Sequence, residues 1–143
     1  MCGAHAAVRS LVAEMVGGND RPTILDIEAG LEHLSRGTAR GVDTLLVIVE
    51  PYFKSMETAA RMAELGRELG IGKVYGVANK VASAEDEKEL RAFCGAKGLE
   101  IFGIVPQDEL VRSAERQGVG PLDLASTSPA IDRIGELARA LTP

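Results

Sequence analysis

Hydrophobic positions along this chain fall into two kinds of run. Thr44 to Val49 is continuously apolar, as expected of a strand buried on both faces of a parallel sheet, and Thr23 to Ile27 is a shorter run of the same kind. Lys73 to Ala78, ending at Asn79-Lys80, and Leu99 to Val105, broken by Pro106, read as two further strands. Between the strands the apolar residues recur at helical spacing. Ala7, Val8, Leu11, Val12 and Met15 mark a helix over 4–15 that stops at Gly17-Gly18-Asn19. Ser55 is placed to cap a helix with a stripe of Met56, Ala59, Ala60 and Ala63, widened by Met62, Leu65 and Leu69 and stopped by Gly70 and Gly72. On its surface Glu57 and Arg61 stand at the favourable four-residue spacing.

Ser83 followed by Asp86 is a capping-box pattern, and Leu90, Phe93 and Cys94 give the helix behind it a buried side that ends at Gly98. A short helix from about 108 to 116 comes next. Ser128-Pro129 then starts a last helix, with Ile131, Ile134, Leu137 and Leu141 on one face. Strands alternating with helices imply βαβ units with right-handed crossovers. The expected architecture is α/β: a parallel sheet of about four strands with flanking helices, residues 1–143 forming one domain.

Composition sharpens this picture. With 143 residues, 45% of them hydrophobic but only 3% aromatic and none Trp, the core has to be built from Val, Ile, Leu, Ala and Met, which favours α/β over a sandwich. A net charge of -5 with acids and bases interspersed gives no basic field for a phosphodiester backbone, so nucleic acid is not expected as a partner. No apolar run is long enough to span a bilayer and the first residues lack a signal-peptide order, so a cytoplasmic protein is expected, with no membrane partner. The two cysteines, Cys2 and Cys94, do not make a disulfide framework.

Candidate chemistry gathers at the strand ends. In an open α/β sheet the ligand crevice lies at the carboxyl ends of the strands, and here these ends carry Asp26, Glu50-Pro51, Asn79-Lys80 and Pro106-Gln107-Asp108. Taken alone, an Asp closing an apolar strand also fits a simple turn cap, so Asp26 gains meaning only in company. His33 and Glu32 are adjacent on an expected helix and point to different sides, which argues against an acid/base pair. Cys2 and His5 supply two ligands where a structural zinc wants four.

The stretch Asp26-Ile27-Glu28-Ala29-Gly30-Leu31-Glu32-His33, together with Val49-Glu50-Pro51, Asn79-Lys80 and Val105-Pro106-Gln107-Asp108, resembles the MinD/ParA-like (SIMIBI-class) P-loop ATPases. Within them it is most similar to the CooC-type branch, nickel-insertion ATPases that mature carbon monoxide dehydrogenase. The resemblance implies ATP or ADP with Mg²⁺ as cofactors, a homodimer, and carbon monoxide dehydrogenase as the type of client. It implies that Asp26 holds the hydration shell of Mg²⁺ and that the Gly30 N–H senses the γ-phosphate. Asn79 would read adenine, and Pro106, Gln107 and Asp108 would form the other side of the base pocket. Asp offers hard oxygen to Mg-bound water, Gly lets backbone approach phosphate, and an amide both donates to and accepts from adenine.

CooC-type members also carry a Cys-x-Cys pair that binds metal between two subunits. Cys2 matches its second cysteine, which implies an interfacial Ni²⁺ or Zn²⁺ ligand. The first cysteine would fall just before Met1, so the chain is expected to begin partway through the family domain, as its carboxyl-terminal portion. The sequence contains no G-x-x-x-x-G-K-[ST] phosphate loop; Gly72-Lys73 is followed by Val74 and preceded by no glycine at the required place. Phosphoryl transfer depends on such a loop for positioning and charge neutralisation, so the chain as given is expected not to hydrolyse ATP. Three functions follow in order: the carboxyl-terminal portion of a CooC-like ATPase, a non-catalytic dimeric metal- or partner-binding module derived from the same fold, and a ParA- or MinD-type positioning protein.

Overall fold

A computed structural model describes residues 22–26 and 42–141. Its elements run β1 (Thr44–Val49), α1 (Phe53–Glu68), β2 (Lys73–Val81), α2 (Ala84–Ala96), β3 (Glu100–Pro106), α3 (Glu109–Gln117), α4 (Pro121–Leu124) and α5 (Pro129–Leu141). The strands form a parallel sheet in the order β1-β2-β3. Helices α1 and α2 return the chain between successive strands, and the polar carboxyl ends of the strands therefore meet at one rim.

Alternation along β1 assigns the two faces. Leu45, Val47 and Val49 point into the larger core, where Ala59 and Ala63 of α1 and Leu90 and Cys94 of α2 are fully buried beside Ala78, Leu99 and Ile101. Leu46 points the other way, into a smaller cluster of Val77, Val105 and Ala130 with Val111 and Leu137. This second face is incompletely covered: Ile48 of β1 is 56% exposed and Ile134 of α5 is 54% exposed. The expected α5 face is thus only partly used, because the helix packs on β3 through Ala130 and Leu137. Gly103 permits that packing, since a Cβ there would collide with the Leu137 side chain.

Three of the four expected strands are present among the described residues. Residues 22–26 of the expected first strand are neither strand nor helix, and Ile24 is 94% exposed. An apolar run becomes a strand only where an edge pairs with it, and among the described residues β1 pairs on one side alone, with β2. The helix assigned to 4–15, and the residues Cys2, His5, Gly30, Glu32 and His33, lie outside the described residues.

Local signals explain most boundaries. The Ser83 hydroxyl accepts the Asp86 N–H at 3.1 Å and the Asp86 carboxylate accepts the Ser83 N–H at 3.0 Å, completing the capping box of α2. Gly70 and Gly98 take the left-handed conformation just past α1 and α2. Ser55 is a correction: α1 starts earlier, with Tyr52 in the N-cap position and no side-chain cap. The Ser55 hydroxyl instead accepts the backbone N–H of Glu50 at 2.9 Å, closing the turn out of β1.

Candidate functional site

The rim at the carboxyl ends is built from three short exits. β1 leaves through Glu50-Pro51, β2 through Asn79-Lys80-Val81, and β3 through Pro106-Gln107-Asp108. The last β1–β2 pair is Val49 with Ala78, so Glu50 stands level with Asn79.

β2 changes register here. Between the pairs Ala78–Ile104 and Val81–Pro106, three steps along β2 match two along β3, so β2 carries a bulge. Lys80 sits in it at φ 57°, and is the non-glycine residue with positive φ among the described residues. Its ammonium lies 2.9 Å from Glu50 Oε1. That contact, first as a hydrogen bond and then as charge attraction, raises the Lys80 pKa above its ordinary value; Glu115 of α3 and Tyr52 add smaller pushes the same way. Beyond the bulge the ladder resumes, with Gln107 N–H donating to the Val81 carbonyl at 2.9 Å.

Asn79 is half-buried, and its carboxamide makes no hydrogen bond to a described residue. It is therefore available as both donor and acceptor at the rim. The Asp108 carboxylate, by contrast, is committed. Oδ1 accepts the Leu110 N–H at 2.8 Å, capping α3, and Oδ2 accepts the Ala130 N–H at 3.0 Å in the first turn of α5. The Ser128 hydroxyl and these amides favour the ionised form and lower the Asp108 pKa below the usual carboxylate value. Pro106 is half-buried and Gln107 exposed beside it.

The structure thus brings Asn79, Pro106, Gln107 and Asp108 to one rim. Asp26 is exposed and makes no hydrogen bond or ion pair with the described residues. Sequence reasoning missed the Glu50–Lys80 pair, although opposite charges just past neighbouring parallel strands were its signal. Among the described residues no three His, Cys, Asp or Glu side chains gather as a metal-binding group. Nor is any helix among them long and apolar enough to cross a membrane. A groove of about 320 Å³ between α1 and α2, lined by residues including Arg61, Arg67, Phe93 and Lys97, contains none of the rim residues.

Comparison with known proteins gives this rim a setting. No protein-family model matches the chain. In overall shape it is similar to the MinD cell division protein of Aquifex aeolicus, with a TM-score of 0.72 at 22% identity, covering 96% of this chain and 60% of that one. A ParA family ATPase from Chlorobium tepidum matches with a TM-score of 0.55 over 68% of this chain and 41% of that one, also at 22% identity. The fold is that of the MinD/ParA-like P-loop ATPases. By sequence the chain is 35% identical over 142 residues to the carbon monoxide dehydrogenase accessory protein CooC of Rhodospirillum rubrum, covering 99% of this chain and 52% of that protein. It is 39% identical over 127 residues to an ATP-binding protein of Methanocaldococcus jannaschii, covering 88% of this chain and 49% of that one. The chain is therefore similar in sequence to CooC and shares the MinD/ParA-like fold, and it spans about half the length of these curated relatives.

Proposed function

We propose that the rim formed by the carboxyl ends of β1, β2 and β3 is the base-recognising side of an ATP site. The observation that carries this reading is the carboxamide of Asn79, unbonded among the described residues and held at the rim where an open α/β sheet binds its ligand. An amide with both functions unused matches the adjacent donor and acceptor of adenine. Pro106 and Gln107 form the opposite wall, while Asp108 serves that wall by fixing the turn through Leu110 and Ala130. As the resemblance to the MinD/ParA-like ATPases implies, Asp26 would hold the water shell of Mg²⁺ and the Gly30 N–H would sense the γ-phosphate.

The 143 residues contain no G-x-x-x-x-G-K-[ST] loop, so by themselves they do not turn over ATP. The similarity to the CooC accessory protein supports a role in metal-centre maturation, with a nickel enzyme such as carbon monoxide dehydrogenase as client. A homodimer with Cys2 as an interfacial Ni²⁺ or Zn²⁺ ligand belongs to the same proposal. ATP and GTP, each with Mg²⁺, titrated into the chain provide the test. ATP binds about tenfold more tightly than GTP, the worth of roughly one well-made hydrogen bond, and Asn79→Ala abolishes the difference. Equal affinities, or a preference that survives N79A, would refute the assignment.

A further inference from the structure

Asn79 can read a base only if the backbone beneath it is held, and the structure shows an unusual backbone there. Lys80 follows it at φ 57°, a conformation that residues other than Gly, Asn and Asp seldom keep without outside support. On the β3 side the support is the ladder, through the Val81–Pro106 pair and the Gln107 N–H bond to the Val81 carbonyl. On the β1 side the ladder has already ended at Val49–Ala78. What ties β2 to β1 beyond that point is the Lys80 ammonium on Glu50 Oε1 at 2.9 Å. Glu50 is itself anchored, because its N–H donates to Ser55 Oγ at 2.9 Å in the first turn of α1.

We infer that Glu50 is a positioning residue: through its ion pair it keeps Lys80 in the left-handed conformation, and so aims the Asn79 carboxamide out of the rim. The consequence for base selection rests on the reading of Asn79 given above. The clamp itself does not, because it is a property of the free chain. Bulges of this kind can re-aim one side chain and interrupt regular pairing, and the pairing is interrupted between Ala78 and Val81. Lys80 acts here through its backbone, its charge being spent on Glu50.

That distinction makes the inference testable with isotope-labelled chain in solution, carrying E50Q, E50A, or E50A with K80G. Backbone couplings report φ at position 80, and the side-chain NH₂ signals of Asn79 report its setting. We expect E50A to lower the share of chains with positive φ at Lys80, to shift the Asn79 NH₂ signals, and to reduce the ATP-over-GTP preference; E50Q, which keeps an acceptor but no charge, falls between. Adding K80G to E50A restores both the Asn79 signals and the preference, because glycine adopts positive φ without a clamp. Wild-type φ and Asn79 signals in E50A would overturn the inference. So would a failure of K80G to restore them, which would mean that the lysine side chain is itself needed at the site. If nucleotide leaves Asn79 of the wild-type chain unmoved, base recognition is wrong, while the conformation at position 80 still decides the clamp.

Discussion

The carboxylate of Asp108 accepts the backbone N–H of Ala130 at 3.0 Å across 22 residues of sequence, tying the exit of β3 to the first turn of α5. One side chain thereby caps two helices, because its other oxygen takes the Leu110 N–H of α3. Asp108→Ala should lower the urea midpoint, and Asp108→Asn should lower it less, since an amide oxygen keeps one of the two bonds. The pH dependence has a definite sign. The folded Asp108 pKa lies below the unfolded carboxylate value, so its stabilisation is complete above that unfolded value and is lost as pH falls through the lower folded one. The gap between wild type and D108A should therefore be constant near neutrality and close in acid; urea titrations at several pH values check it.

Gly103 and Leu137 predict a coupling between β3 and α5. A Cβ at 103 runs into the Leu137 side chain, so Gly103→Ala costs about 1–3 kcal/mol in an otherwise intact chain. With Leu137→Ala already in place the same change should cost little, leaving a non-additive cycle. Equal costs in both backgrounds would show that α5 does not rest on that glycine.

Cys94 is buried against α1 and β3, and burial raises its thiol pKa. Both effects suppress thiolate. Alkylation of Cys94, followed by mass spectrometry of its peptide, should be slow in the native chain and accelerate sharply in denaturant. Leu90→Ala, which empties a fully buried position of the same core cluster and costs about 2–5 kcal/mol, should raise that native rate. Rapid native labelling would contradict the packing of α2.

Much of this fold could be read from local pattern because local physics decides it. The apolar run 44–49 is β1, since a strand buried on at least one face and paired to a neighbour admits little else. Ser83 and Asp86 meet within a single turn, so their spacing alone announced the cap of α2. Ser55 misled because a serine near a helix start carries the same local signal whether it caps the helix or receives a bond from outside; the Glu50 N–H is the outside donor here. The run 23–27 is a different case, for a strand is a property of a pair of chains and residues 22–26 have no pairing partner among those described. At the site, the order of polar strand ends was legible from the α/β pattern. The Glu50–Lys80 contact was not, because it depends on the register of β1 against β2 and on a bulge that no glycine marks.

The central claim is that the strand-end rim recognises the base of ATP, and amide mapping of the labelled chain during an ATP titration with Mg²⁺ tests it most directly. The Asn79 side-chain NH₂, the backbone of Lys80 and the Gln107 N–H should shift together and saturate together. The Gln117 NH₂, bonded to Ser113 Oγ at 3.1 Å on the surface of α3, should stay in place. Shifts absent from Asn79, or centred instead on the groove formed by Arg61, Arg67 and Lys97, would contradict the account.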